Sequence, residues 1–192
     1  MNELFVPSIG KLYYKGNVAL LQNKIVGIVG TRNASAKGIE RAKTLASLYA
    51  DCGYSVLSGL AVGIDSAVHS ASLCKTIAVL PTPINAPIYP KENTELATEI
   101  LRSGGLLISP FKDGTPLTKF SFIFRDKVQA LLSSFLIVVE SSIDGGSMHA
   151  LKYAASNDRA VYIFSDEKRL ASLIDNKNIY SVDFDEFYEN IN

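Results

Sequence analysis

The segment Ile25-Val26-Gly27-Ile28-Val29 carries the first indication of the fold class. It is a short, mainly β-branched run that stops at Gly30, and such a run is typical of a strand buried on both faces. Ser35 follows it and can cap a helix, because a serine side chain accepts a hydrogen bond from the first helical turn. Apolar residues then recur at helical spacing until Gly53, which stands where the residue after a helix belongs. The segment therefore opens a strand–helix unit.

The same alternation continues along the chain. Further strands are predicted at residues 54–57, 76–80, 106–109, 135–139 and 160–164, with amphipathic stretches between them. Long loops are predicted from Pro81 to Pro90 and over 110–122, then a short helix over 124–132, and the tail from Asp166 has two weaker helical patterns. These units predict an α/β fold with a doubly wound, mostly parallel sheet and helices on both faces. With no internal repeat or linker, we expect one domain over residues 1–192.

Composition excludes several classes of protein. The chain has 192 residues, of which 47% are hydrophobic, and it carries 19 Lys and Arg against 19 Asp and Glu. This apolar content is too high for a disordered chain, and zero net charge excludes a protein that coats DNA by bulk charge. The balance hides an asymmetry, since residues 1–50 carry seven positive and two negative charges, whereas residues 141–192 carry five and nine. A local basic site therefore remains compatible with the composition.

The few cysteines and histidines bear on location and on metal binding. Cys52 and Cys74 lack a CxxC spacing and the chain start lacks a secretory pattern, so we interpret them as reduced, semi-buried thiols of a cytoplasmic protein. The longest apolar stretch, 135–139, is far too short to span a membrane. Two histidines without a nearby cysteine or carboxylate cluster give no zinc signature. We therefore expect no metal, no cofactor and no membrane contact.

Small residues follow three of the predicted strands. In parallel sheets of this type, ligands bind beyond the carboxyl ends of the strands. Each of these junctions lets backbone N–H groups approach a ligand and leads to a helix N-terminus, where unpaired donors and the helix dipole favour an anion. The residues concerned are Gly30, Thr31 and Arg32, then Ser58 and Gly59, then Gly145, Gly146 and Ser147. Together they predict a phosphate pocket, although each glycine alone is equally explained by the steric needs of a turn.

Two nucleotide-binding motifs are missing from these junctions. The spacing of Gly27 and Gly30 differs from the GxGxxG fingerprint of dinucleotide-binding folds, and no Gly-Lys-Ser/Thr ending of a P-loop is present. Nicotinamide or flavin chemistry and P-loop ATP hydrolysis are therefore disfavoured.

A second basic group carries aromatic residues between its charges. Lys119, Arg125 and Lys127 are interleaved with phenylalanines, among them Phe122. Positive charge attracts phosphates and aromatic rings stack on unpaired bases, which is typical of a single-stranded nucleic-acid site. The alternative is that the phenylalanines belong to the core and that the charges form a solvated helix face.

Candidate acid–base residues are few. Asp65 and His69 are four residues apart on a predicted helix, where such a pair either serves catalysis or makes a structural hydrogen bond. Glu140 ends the strongest predicted strand, but no nucleophile is paired with it. We therefore predict no catalytic residue.

These residues, in this order, resemble the Rossmann-like core of the DNA-processing protein A family (DprA/Smf). The longest match is the string SGLAVGID at residues 58–65 followed by His69, which is similar to the family's SGLAxGID…H. Other matches are LYYKGN at 12–17, IVGTR at 28–32, Ser35 with Gly38, TIAVL at 76–80 with YP at 89–90, GGLLIS at 104–109, RDK at 125–127 and VVE at 138–140 with Gly146 and Ser147. The resemblance covers residues 11–165.

The resemblance implies a function as well as a fold. It implies sequence-independent binding of single-stranded DNA, loading of the RecA recombinase during natural transformation, and a homodimer without catalytic activity. The expected DNA- and phosphate-binding residues are Gly30, Thr31, Arg32, Ser35, Ser58, Gly59, Lys119, Phe122, Arg125, Lys127, Gly145, Gly146 and Ser147.

The sequence also departs from the family pattern. Asp126 replaces an asparagine between the two basic residues, and Ile123 replaces a proline after Phe122. These changes leave open a retargeted ligand, and the alternative is a protein that binds or processes a nucleotide, like the LOG phosphoribohydrolases of related fold. That family uses a PGGxGTxxE motif. Here Ser147-Met148-His149-Ala150 follows the glycines without the glutamate, which argues against glycosidic-bond hydrolysis.

Overall fold

The computed structural model describes residues 2–142, 144–167, 170 and 176–191. The strands are β1 (Asn2–Val6), β2 (Gly10–Gly16), β3 (Ile25–Val29), β4 (Ser55–Ser58), β5 (Thr76–Val79), β6 (Leu106–Ser109), β7 (Phe135–Val138), β8 (Ala160–Phe164) and β9 (Ile179–Val182). The α-helices are α1 (Ala36–Asp51), α2 (Ile64–Ala71), α3 (Thr94–Arg102), α4 (Lys119–Leu132), α5 (Ser147–Ser156) and α6 (Phe184–Glu189).

One sheet runs through the molecule in the order β1-β2-β6-β5-β4-β3-β7-β8-β9. All strands from β6 to β9 in this order pair in parallel, whereas β2 pairs antiparallel with both β1 and β6. From β3 the chain winds outward to β6 and then returns to place β7 on the other side of β3. The loops after β3 and β7 therefore diverge at this switch in strand order, which is where ligands bind in such sheets.

Helices cover both faces of the sheet. Consecutive residues of β3 point to opposite faces, so that Ile28 packs in the cluster beneath α1 and α2 whereas Val29 packs against α5. Val128 of α4 belongs to a third cluster with the strands β5 and β6. The predicted class, a doubly wound and mostly parallel α/β fold, is confirmed.

Three local predictions were wrong or incomplete. The hairpin of β1 and β2 was not predicted. Two helical patterns were predicted in the tail from Asp166, where residues 184–189 form the helix α6 and residues 179–182 form the strand β9, whereas residues 168–169 and 171–175 lie outside the described residues. Helix α4 begins at Lys119 rather than at residue 124, because Thr118 and Ser121 form a capping box that starts it one turn earlier. The loop predicted over 110–122 is shortened accordingly.

Two further expectations concern the surface. Cys52 and Cys74 are free thiols, but both are exposed, so the prediction that they are semi-buried was wrong. Cys52 directly follows α1, and Cys74 lies three residues beyond the end of α2. In the described part of the chain, no helix has the length and apolar character needed to cross a membrane.

Candidate functional site

A cavity of about 490 Å³ lies beyond the carboxyl ends of β3 and β7. The loop after β3, the start of α5 and one face of α4 form its walls. The residues predicted for the site that line it are Gly30, Thr31, Arg32, Lys119, Phe122, Arg125, Gly145, Gly146 and Ser147. The structure therefore brings together residues that lie more than a hundred positions apart in the sequence.

The turn after β3 is packed too closely for a side chain at Gly30. A Cβ there would lie 2.8 Å from the carbonyl oxygen of Glu140 and would meet the side chain of Ile64. Thr31 fixes the turn from both sides, since its N–H donates to the Glu140 carbonyl oxygen at 2.7 Å and its own carbonyl accepts from the N–H of Ile64 at 3.2 Å. The second of these bonds also uses the first N–H of α2.

Ser35 lies outside the cavity and caps α1. Its hydroxyl accepts from the N–H of Gly38 at 3.0 Å and donates to Glu140 Oε2 at 2.8 Å, while its own N–H donates to the same oxygen at 3.0 Å. The carboxylate of Glu140 thus holds the cap residue of α1 in place. Glu140, considered as an acid or base from the sequence, is a capping acceptor.

The start of α5 is the helix N-terminus that faces the cavity. The carbonyls of Gly145 and Gly146 accept from the N–H groups of Met148 and His149 at 3.0 and 3.1 Å. The hydroxyl of Ser147 lies 2.6 Å from that of Ser141. These two N–H groups of the first turn are therefore already bonded, and the backbone donors that this end offers to a ligand are those of Gly146 and Ser147, for which the described residues provide no acceptor. Of the three helix starts predicted to share this role, the cavity is lined by this one.

The floor of the cavity consists of the buried residues Asp65 of α2 and Arg125, Asp126 and Gln129 of α4. Ser58 and the loop after β4 lie beneath it. Ser58 is fully buried and donates its hydroxyl hydrogen to the carbonyl of Ile28 at 2.7 Å, so the structure does not present it to the cavity. Asp65 accepts from the N–H groups of Gly59 and Ala61 at 3.2 and 3.3 Å. The loop after β4 is therefore folded around the Asp65 carboxylate.

His69 is a structural residue. Its Nε2 accepts from the N–H of Leu60 at 3.2 Å, and Nδ1 lies 2.7 Å from Thr76 Oγ1. The pattern assigns the ring proton to Nδ1. Burial and the nearby charge of Arg125 lower the pKa of His69 to about 3, so the ring is neutral. These bonds to the β4–α2 loop and to Thr76 support the structural interpretation of His69 over the catalytic one.

Arg125 lies flat across Gly59 at the floor. A Cβ at Gly59 would overlap its Nη1, so only glycine leaves room for the guanidinium. The side chain is 8% exposed and contacts three groups: Asp65 Oδ2 at 3.5 Å, Asp126 Oδ1 at 3.2 Å and Gln129 Oε1 at 3.2 Å. The glycine predicted to approach a ligand therefore supports the arginine, and it lines a neighbouring cavity with it.

Two buried donors at the floor lack an acceptor among the described residues. They are Arg125 Nε, which is near Asp126 but misaligned for a hydrogen bond, and Gln129 Nε2. An unpaired buried donor costs about 1–3 kcal/mol. Both residues line the cavity, although these two atoms are themselves covered.

The floor also holds two carboxyl groups. Burial raises the pKa of Asp126 to about 6, against the lowering effect of Arg125. Burial likewise raises the pKa of Asp65, opposed by Arg125 and by the two backbone N–H groups that it accepts. The charge of the floor therefore depends on both carboxyls as well as on the arginine.

An aromatic wall separates this cavity from a second one of about 460 Å³. The guanidinium carbon of Arg32 lies 5.5 Å from the ring centre of Phe122, and the rings of Phe122 and Tyr89 meet edge to face with centres 5.5 Å apart. Arg32, Tyr89 and Phe122 line both cavities. Beyond the wall, apolar side chains of Pro81 and Ile88 contribute to the second cavity.

Lys127 does not line either cavity. Its Nζ lies 5.1 Å from the ring centre of Tyr153 on α5, on the opposite side of α4 from Arg125. Residues two apart on a helix are rotated by about 200°, so both cannot face the same site. Lys119, by contrast, projects from the first turn of α4 to the cavity rim.

Several residues that line the cavity were not predicted as site residues: Asp65, Tyr89, Asp126, Gln129 and His149. A signal for part of this set was present: Lys119, Phe122, Arg125, Asp126 and Gln129 recur at helical spacing and form one face of α4. It became visible only with the helix beginning at residue 119. Throughout the described ranges, no group of three or more His, Cys, Asp or Glu side chains is arranged to hold a metal ion.

The chain is similar to proteins of DNA processing. The family model for DNA recombination-mediator protein A matches residues 6–181. Protein Smf of Escherichia coli is 31% identical over 156 residues, and DNA processing protein DprA of Streptococcus pneumoniae is 35% identical over 155 residues. These alignments cover 80% and 79% of this chain, but the chain spans only 41% and 54% of those relatives.

Solved structures agree with the sequence comparison. DNA processing protein A from Helicobacter pylori, which was described for its single-stranded DNA binding mode, superposes with a TM-score of 0.86 at 26% identity, covering 94% of this chain and 86% of that one. A molybdenum cofactor binding protein from Rippkaea orientalis shares the fold alone, with a TM-score of 0.61 and 18% identity over 88% of this chain and 95% of that chain. The match over most of the sequence identifies this chain as a member of the DNA recombination-mediator protein A family.

Proposed function

We propose that this chain binds single-stranded DNA without reading its sequence, holding backbone phosphates in the cavity between β3, α4 and α5. The observation that carries the proposal is the cationic lining of the cavity, with Arg32 and Lys119 at its rim and Arg125 at its floor. Guanidinium and ammonium groups donate several hydrogen bonds, and a phosphate supplies several oxygens to accept them. The helix start at Gly146 and Ser147 adds backbone donors from the other side.

The rim supports a nucleic-acid ligand over a free phosphate. Arg32 and Lys119 bring positive charge to the entrance, and Phe122 and Tyr89 offer aromatic surface beside it. Bases stack on such rings only when they are unpaired, which favours a single strand over a duplex. Phe120, which is 62% exposed and stacks on Phe124, lies on another side of α4 and does not line the cavity.

We propose a non-catalytic role in DNA recombination. Two carboxylates beside the cavity have structural roles, since Glu140 accepts from the cap residue of α1 and Asp65 holds the loop after β4. The kinship with DNA processing proteins supports a cytoplasmic protein that works as a homodimer and delivers DNA to a RecA-type recombinase. These partners are inferred from the family.

The proposal is tested by titrating labelled oligothymidylate and the matching duplex at two salt concentrations. We expect preference for the single strand, weaker binding at higher salt, and loss of binding in Arg32→Ala. Absence of single-strand binding, together with thermal stabilisation by a free nucleotide, would favour the nucleotide-binding alternative.

Two lysines of the same helix provide a matched comparison. Lys119 lines the cavity, whereas Lys127 lies over Tyr153 on the other side of α4. Lys119→Ala should weaken binding of oligothymidylate about three- to tenfold and reduce its salt dependence, and Lys127→Ala should change both much less. Equal losses in the two variants would show that general charge, and not this cavity, attracts the DNA.

A further inference from the structure

The charges that line the cavity nearly balance. Its described lining contains three cationic side chains, Arg32, Lys119 and Arg125, and two carboxylates, Asp65 and Asp126. With histidine counted as neutral and both carboxylates ionised, the lining carries one net positive charge. This is less than a pocket for phosphate would carry if attraction alone determined its composition.

The two carboxylates have different roles. Asp65 accepts two backbone N–H groups and shapes the loop beneath the floor. Asp126 has a side chain only 7% exposed, and its ion pair with Arg125 Nε is misaligned for a hydrogen bond. Its charge can therefore change without dismantling the loop.

We propose that Asp126 sets the charge of the cavity so that it accepts phosphodiesters and rejects phosphomonoesters. A phosphodiester carries one negative charge and matches the single net positive charge of the lining. A phosphomonoester carries about −1.5 to −2 at neutral pH, which leaves it under-compensated beside a buried carboxylate. Internal phosphates of a DNA strand are thereby favoured over free mononucleotides and terminal phosphates. This inference rests on the proposed function and names the ligand class of the same site.

The groups facing Asp126 are consistent with an ionised side chain at neutral pH. They are Arg125 on its own helix, Asp65 from α2, His149 from α5 and Arg32 from the loop after β3. Burial and the neighbouring Asp65 raise the pKa of Asp126 to about 6, and the three basic groups limit that rise. At pH 7.5 the side chain is therefore mostly charged.

The test uses two ligands of nearly equal size, thymidine 5′-monophosphate and its methyl ester, which is a phosphodiester. Each competes with labelled oligothymidylate at pH 7.5 for the unmodified protein, for Asp126→Asn and for the control Asp51→Asn, whose side chain is exposed on α1. We expect the unmodified protein and the control to prefer the methyl ester about tenfold. Asp126→Asn should lose most of this preference, mainly by binding the monophosphate more tightly.

Other outcomes separate the two proposals. If Asp126→Asn keeps the full preference, or if the unmodified protein prefers the monophosphate, the charge-matching role of Asp126 is wrong. The same conclusion follows if oligothymidylate binds but neither small ligand competes in any of the three proteins. If oligothymidylate itself does not bind to any of them, the proposed DNA-binding function fails.

Discussion

Helices α2 and α4 both bury polar side chains beside the cavity, and they differ in how completely these are bonded. On α2, Asp65 accepts two backbone N–H groups, and both ring nitrogens of His69 have partners. On α4, Arg125 and Gln129 each leave a buried donor without an acceptor among the described residues. The α2 pair (Asp65 and His69) is complete within the protein, and the α4 pair (Arg125 and Gln129) is not.

This difference separates scaffold from binding surface. Burial alone does not, since all four side chains are less than a tenth exposed. A folded chain satisfies nearly all its buried polar groups, so the incomplete bonding of Arg125 and Gln129, which both line the cavity, indicates a face of α4 that is built for a ligand and not for the scaffold. We therefore expect changes in the α2 pair to reduce stability, and changes in the α4 pair to reduce binding.

The largest effect is expected for Asp65→Ala. The change leaves the N–H groups of Gly59 and Ala61 without their acceptor and the Arg125 guanidinium without one of its two carboxylates. Breaking a buried ion pair in this way costs about 3–5 kcal/mol of unfolding free energy. Urea denaturation at pH 7.5 measures it, with Asp51→Ala as an exposed control that should change stability by less than about 0.5 kcal/mol. Equal stabilities would place Asp65 outside the scaffold.

His69→Leu should destabilise the protein by about 1–3 kcal/mol at neutral pH, because it leaves the N–H of Leu60 unpaired. The loss should also depend on pH. The pKa of His69 is about 3 in the folded protein, against about 6.5 in an unfolded chain, so the unfolded chain takes up the proton first as the pH falls. The stability that the neutral ring provides is therefore full above pH 6.5 and declines toward pH 3.

Denaturation of the unmodified protein and of His69→Leu between pH 7 and pH 4 tests this dependence. The stability advantage of the unmodified protein should shrink below pH 6.5 by up to about 1.4 kcal/mol per pH unit, so that it disappears or reverses by pH 4. Subtracting the two series removes the opposing contributions of Asp65 and Asp126, which both proteins share. A difference that stays constant with pH would mean that His69 takes up its proton in the folded protein as readily as in the unfolded chain.

Much of the fold and part of the site could be predicted because they depend on local patterns. Buried β-branched runs defined β3 and β7, and short strings of small residues located the loops that meet at the cavity. The hairpin of β1 and β2 was not predicted because β2 joins the sheet by pairing with β6, about ninety positions away, and no local pattern requires this pairing. Local patterns fix elements, whereas edge strands depend on distant partners.

Side-chain direction was the main limit at the site. Ser35 and Ser58 were expected to bind phosphate, yet hydrogen bonds to Glu140 and Ile28 use their hydroxyls within the fold. Lys127 was grouped with Arg125 on charge, although the helical period places the two on opposite sides of α4. Whether a donor is free depends on acceptors from other elements, and these are known only once the chain is folded.

The smallest effect on stability, and the sharpest test of the comparison, is expected for Gln129→Met. Methionine keeps the volume of the side chain and removes the unpaired Nε2 together with the acceptor of one Arg125 bond, so the change in unfolding free energy should stay within about 1 kcal/mol. Binding of oligothymidylate should nevertheless fall about three- to tenfold, because the amide that holds the Arg125 guanidinium at the floor of the cavity is lost. Parallel denaturation and titration at pH 7.5 measure both quantities. A loss of stability as large as that of His69→Leu, with unchanged binding, would show that α4 is scaffold like α2 and that its unpaired donors do not mark a ligand site.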